Sequence, residues 1–316
     1  MLRLWRKKQS NDWRAGVVSG ERTTSLAIVE HRAGRQPLLR HCGIHPDEEI
    51  RPEHLLSMFI NGRTLARTAV SGVVSLDDYQ LVQVDAPEVP AAELGAAVRW
   101  KLREVLNFPV TDAVVDVFPV PQSHQRAQTR MISVVAARST AVQRITELVT
   151  SRAPGFDVID IPELCLRNLS VLLPQDARGV ALLALGEGFA QLILTRQGVL
   201  YLWRRIELRT PLKRAFATQD DVEKPVSGID AAALALELQR SLDYYEGNFD
   251  LPPITDLVLA PGDAIARLLA AELRPEISMK IELFAAEHLF EVDPSIEIDT
   301  RWPGLLALGA AARTCN

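Results

Sequence analysis

The sequence is poor in the residues that would tie it to an oxidising compartment, a bilayer or a catalytic metal. Its three cysteines, Cys42, Cys165 and Cys315, are far apart and odd in number. They make neither a disulfide framework nor a zinc pattern, which favours a reducing compartment. The longest apolar runs, such as Gly179–Leu185 and Leu305–Ala312, fall well short of the roughly 20 residues that cross a bilayer. No signal-peptide apolar region opens the chain. The six histidines have no HExxH-type spacing, and no GxSxG marks a nucleophile. His41, Cys42 and His45 lie close together, but the two histidines, near Pro46, read as loop histidines rather than as part of a metal cluster. Basic charge is also scarce: a net charge of −5 and a pI near 5.8 argue against nucleic acid as the main partner. Together these absences predict a cytoplasmic protein.

What is present is ordinary globular material. With 47% hydrophobic residues in 316, the chain can bury a real core and has room for two domains or one bilobed one. Strands are predicted over Trp13–Ser19, Thr23–Glu30 and Gln36–Cys42, a helix over Pro52–Arg63, and a strand over Arg67–Val74. From Gly179 the plan repeats: strands Gly179–Leu185, Ala190–Thr195 and Val199–Leu208, then a helix Asp230–Tyr245 closed by Gly247, then strand Asp256–Ala260. The basic segment Met1–Asn11 reads as a solvated tail or a weak membrane-surface contact. The acidic segment Gln219–Ile229 reads as a loop.

Between the first strands and this repeat, the stretch Asp78–Val120 reads as strand, helix, strand. Leu94, Val98, Leu102 and Val105 put one apolar face on a helix over Ala91–Leu106, ended by Asn107, Phe108 and Pro109. Trp100 projects away from that face, among Arg99, Arg103 and Glu104. It either packs on a neighbouring element or serves as an exposed aromatic anchor for a partner.

The phrases VQVDAPEVPAAEL, AVRWKL, DAVVDVFPVP, ISVVAAR, VIDIPELCLRNL and ELQRSLDYYEG, in this order from about Gly16 to Arg313, resemble the PilM group of actin-like proteins. The similarity is greatest to the MshI proteins of MSHA pilus biogenesis, and it extends to the cytoplasmic domain of GspL. The resemblance implies a duplicated α/β fold, actin-like (ribonuclease H-like), with an inserted subdomain of the FtsA/PilM type. It implies a tail over 1–12, a first domain over 13–174 with the insert at about 78–152, a second domain over 175–303, and a last helix, 304–316, packing back on the first domain.

The same resemblance allows a nucleotide site to be checked residue by residue. The family's first phosphate hairpin, GxDxG, falls on Gly16, Val17, Val18, Ser19 and Gly20, so its aspartate position holds Val18. The second, DxG, falls on Ala184, Leu185 and Gly186, and again lacks the acid. The small hydroxyl residue that follows is Ala190, and the glycine pair after the third strand is replaced around Arg209 and Thr210. The adenosine-side GG becomes Pro261–Gly262, and the final GLA-like turn survives as Leu308–Gly309–Ala310. Glu237 and Arg240 match helix positions that can face nucleotide in the family, or form a solvated i,i+3 pair. Metal-assisted phosphoryl transfer depends on positioning and charge neutralisation, so two missing carboxylates predict a pseudo-ATPase. No cofactor is expected, and ATP is the alternative occupant of a degenerate cleft.

The expected function is a non-enzymatic scaffold at the inner face of a pilus platform, peripheral to the inner membrane. By resemblance it docks the cytosolic N-terminal segment of a PilN-like bitopic inner-membrane protein, with Trp100, Arg103 and Phe108 as candidate contacts. The alternatives are an actin-like ATPase or phosphotransferase, or a GspL-like component of a type II secretion platform, which would carry a membrane span after the actin-like region.

Overall fold

The computed structural model describes residues 13–49, 52–60, 62–65, 67–90, 93–122, 130–150, 156–208 and 231–314. The segments Met1–Asn11 and Gln219–Ile229, together with Arg209, Thr210 and Cys315, lie outside the described residues.

The chain opens with strands β1 (Trp13–Ser19), β2 (Thr23–Glu30), β3 (Leu38–Pro46) and β4 (Ala69–Val73). The middle region holds β5 (Tyr79–Asp85), β6 (Ala113–Pro119), β7 (Met131–Arg138) and β8 (Phe156–Asp160). Then follow β9 (Val180–Leu185), β10 (Phe189–Arg196), β11 (Val199–Glu207), β12 (Asp256–Ala260), β13 (Lys280–Leu283) and β14 (Glu291–Val292). They form three sheets, ordered β14-β3-β2-β1-β4-β8, β11-β10-β9-β12-β13 and β5-β7-β6. In each large sheet an antiparallel three-strand meander is followed by parallel strands on its first member, so the two lobes repeat one plan. β9 and β10 are buried along their whole length, which is why VALLAL reads as a continuous apolar run rather than an alternating one.

The helix Trp302–Ala311 ties the molecule together. Residues Gly304 to Ala311 are all buried, as befits a helix that is apolar all round. It packs on β1, β2 and the helix Pro162–Ser170, and a single apolar cluster runs from Ala27, Val29 and Leu39 through Leu305 and Leu308 to Leu182 and Val258 of the second lobe. This closeness requires glycine. A Cβ on Gly16 would stand 2.0 Å from the Ala307 carbonyl oxygen, and one on Gly309 2.2 Å from that of Cys165.

Three local expectations need correction. The helix predicted over Ala91–Leu106 is two short pieces, Leu94–Ala97 and Arg99–Leu102, with Gly95 weakening the first. Backbone bonds from Val98 to Leu94, from Leu102 to Val98 and from Leu106 to Leu102 still hold the apolar face together. Leu94, Val98 and Leu102 are buried, but Val105 is 49% exposed. Gly247 does not end its helix, which runs Ala231–Phe249. His41 and His45 are not loop residues: the strand predicted to stop at Cys42 runs on to Pro46 as β3 and carries both, paired with β2.

Replacing Gly16 by Ala should cost about 3 kcal/mol in a urea melt, the upper part of the overpacking range. Gly247→Ala meets nothing within 4 Å and should stabilise by up to about 1 kcal/mol through helix propensity.

Candidate functional site

The residues nominated for a nucleotide cleft are mostly committed to packing. Gly16 sits inside β1, paired with Ala27 and Ser71, and faces the terminal helix rather than a ligand. Gly309 is on that helix, against Cys165. A Cβ on Gly262 would lie 2.0 Å from the Phe284 carbonyl oxygen. At the β9–β10 turn, the Phe189 ring folds back over Gly186, 2.3 Å from where a Cβ would stand. Phe189 meets Trp302 edge-on at 4.8 Å, and the Arg205 guanidinium lies 4.4 Å from the Phe189 ring centroid. An aromatic side chain thus covers the second hairpin where the resemblance implies a phosphate. Of the five glycines, Gly20 alone keeps the form expected of it, an exposed turn with its N–H bonded to Thr23 O at 2.8 Å. Val18 packs against the interlobe cluster and Ala184 is fully buried, so both positions that would carry an acid are apolar surroundings. Glu237 accepts from Arg240 at 2.5 Å and from Arg204 at 3.5 Å, an ion network between the Ala231–Phe249 helix and β11.

The second nominated set lies on the small sheet's subdomain. Trp100 is 64% exposed, with Lys101 Nζ 5.6 Å from its ring centroid. Arg103 is exposed beside it. Phe108 is not available to a partner: it is buried in the core of this subdomain with Leu94, Val98 and Leu102, and the Arg138 guanidinium covers it at 4.4 Å. The sequence ending Asn107-Phe108-Pro109 reads as a helix stop, and that hides the inward turn of the ring.

A third feature was not foreseen. A groove of about 520 Å³ opens where the end of β6 (Phe118–Pro121), the helix Pro162–Ser170 (Leu164, Arg167, Asn168), the β10–β11 turn (Gly198–Leu200) and Arg313 meet. Its walls come from all three sheets' neighbourhoods. Proline and valine supply apolar walls and two arginines supply charge. Arg167 Nε donates to Gly198 O at 3.1 Å, and Asn168 Nδ2 to Gly309 O at 3.1 Å, so the floor is held by side chains spanning both lobes. Arg313 Nη1 donates to Asp160 Oδ2 at 2.8 Å. Burial pushes the Asp160 carboxyl up, and Arg313 opposes that shift. Next to it, burial raises Glu163, whose Oε2 accepts from the Tyr79 hydroxyl at 2.5 Å. The phrase VIDIPELCLRN carries most of these groups. No spacing rule links it to Phe118 or Val199, so the groove was invisible in one dimension.

No family model matches the chain, and no curated protein matches it. Among solved structures it is similar to a chain of the PilM–PilN type IV pilus biogenesis complex, at 21% identity and a TM-score of 0.64, covering 95% of this chain and 98% of that one. The chain has an actin-like fold. Weaker likenesses to actin-like proteins include the cytoplasmic domain of EpsL, an inner-membrane component of the Vibrio cholerae type II secretion system, at 14% identity, TM-score 0.49 and coverage of 96% and 97%. Another is a Bacteroides thetaiotaomicron protein of actin-like ATPase fold and unknown function, at 8% identity, TM-score 0.46 and coverage of 87% and 91%. Among the described residues of this actin-like chain, no helix is long and apolar enough to cross a membrane.

Arg313→Leu would take from Asp160, 2% exposed, its hydrogen-bonded cation, leaving only the more distant Arg167. Below the carboxyl's unfolded pKa it is protonated in either state and the loss is small. As pH rises through the raised folded value the loss should grow, to about 1–3 kcal/mol at neutral pH. Urea melts at pH 3 and pH 7 check this sign.

Proposed function

We propose that the chain is a non-enzymatic scaffold of a type IV pilus assembly platform, of the MSHA (MshI-like) kind, peripheral to the inner membrane. It would hold the cytosolic N-terminal segment of a PilN-like bitopic inner-membrane protein in the groove between Phe118–Pro121 and Gly198–Leu200. The observation that carries this reading is the end-to-end likeness to a chain of the PilM–PilN complex, joined to an open groove of about 520 Å³ lined by apolar residues and two arginines. Such grooves gain affinity from main-chain bonds and specificity from side-chain pockets. The packing of Phe189 over Gly186 and the apolar Val18 and Ala184 support a pseudo-ATPase, since phosphoryl transfer needs charge-neutralising groups at those turns.

The second reading is a nucleotide-binding actin-like protein, favoured by the intact Gly20 turn. Calorimetry with Mg-ATP separates the two. The scaffold reading expects no heat up to millimolar ATP, and no phosphate release. Tight binding that is lost when Gly20 is made bulky would favour the second.

For the partner, the synthetic N-terminal segment of the organism's PilN-like protein should bind. Val199 is 41% exposed on the groove rim, so Val199→Glu should weaken binding at least about tenfold by placing a charge in an apolar contact, with little change in Tm. Unchanged binding in Val199→Glu, with loss in Trp100→Ala, would move the docking site to the Trp100 surface. No binding by the wild type would contradict the scaffold reading.

A further inference from the structure

β3 carries a pair of imidazoles that neither the groove nor the hairpins use. His41 and His45 are four residues apart on a strand, so both project to one face. Gly43, the same-face residue between them, has no side chain, and the two rings lean together over it. A Cβ on Gly43 would lie 3.1 Å from both Nε2 atoms. Those atoms stand 2.9 Å apart, with the ring planes inclined by 24°. Phe59 stacks on His41 with centroids 3.8 Å apart and shields one side of the pair. Cys42 projects to the opposite face and donates to the Asp299 carbonyl, so it is no part of the cluster.

We propose that His41 and His45 form a bidentate chelate for a divalent transition-metal ion of the nickel and copper class. With metal–nitrogen bonds of roughly 2.0–2.1 Å, nitrogens 2.9 Å apart subtend about 90° at a shared ion. That is the cis angle of an octahedral or tetragonal site, narrower than a tetrahedral zinc site needs. Burial, and then the charge of His45, lower the pKa of His41 to about 4. Burial also lowers that of His45, against the nearby Glu49 carboxylate. Two Nε2 atoms at hydrogen-bond distance share one proton, so one keeps its lone pair, and the neutral imidazole is the form that ligates metals. Without metal, one ring's Nε2–H donates to the other's lone pair. On binding, that proton moves to Nδ1 of the same ring, and both Nε2 lone pairs turn to the ion. No proton is released and nothing is oxidised. Among the described residues no group of three or more His, Cys, Asp or Glu surrounds a common point, so water completes the coordination.

The test titrates the full chain with Ni²⁺ by calorimetry in a non-coordinating buffer, and records the Cu²⁺ electron paramagnetic resonance spectrum. One equivalent of Ni²⁺ and two equatorial nitrogens on copper are expected. His41→Gln and His45→Gln should each weaken Ni²⁺ at least about tenfold, because the second imidazole no longer stands at high effective concentration. His288→Gln, at an exposed site elsewhere, should change nothing. Metal-free melts establish that the variants remain folded. Ni²⁺ uptake unchanged in the folded double variant would overturn the proposal. So would a wild-type copper spectrum showing one nitrogen or none, a readout that stands even if the variants fail to fold.

Discussion

The structure depends on how closely one apolar helix approaches the first strand. Trp302–Ala311 can lie on β1 and on Pro162–Ser170 only because Gly16 and Gly309 present bare backbone to it. Burying Leu305, Leu306 and Leu308 contributes about 1.5–3 kcal/mol each relative to leaving them exposed. The same contact joins the two large sheets through one continuous core. Asn168 bonding to Gly309 O and Arg313 bonding to Asp160 add directed links at the helix's end.

That constraint bears directly on function. Glycines that the family resemblance would assign to a phosphate cradle are spent on helix packing at Gly16 and Gly309, on a close approach to the Phe284 carbonyl at Gly262, and on the seat of the Phe189 ring at Gly186. A fold built to close on a nucleotide can be retained while its cleft becomes structural. Fold alone does not fix activity. An open concave surface lies instead at Phe118–Pro121 and Gly198–Leu200, where the small sheet meets both lobes.

Much of the fold was legible because its signals are local. The meander strands and the long helix containing Leu234, Leu238 and Leu242 follow from periodicity. The duplicated strand plan was visible as a repeat, and the resemblance gave it the name that strand order and structural likeness now support. Val105 and Gly247 misled because helix ends depend on tertiary context, not on spacing. Phe108 misled because a ring beside a proline can turn inward under Arg138. His41 and His45 read as loop residues because Pro46 follows them, although a strand tolerates proline at its end. The groove was illegible: Phe118, Arg167, Val199 and Arg313 are distant in sequence, and only packing brings them together.

The most direct measurement of the central claim is hydrogen–deuterium exchange of the full chain with and without the PilN-like N-terminal segment. Docking in the groove predicts added protection at 118–121 and 198–200, with the hairpin turns at 19–23 and 185–189 unchanged. Protection confined to the surface around Trp100, or appearing at the hairpin turns, would contradict it.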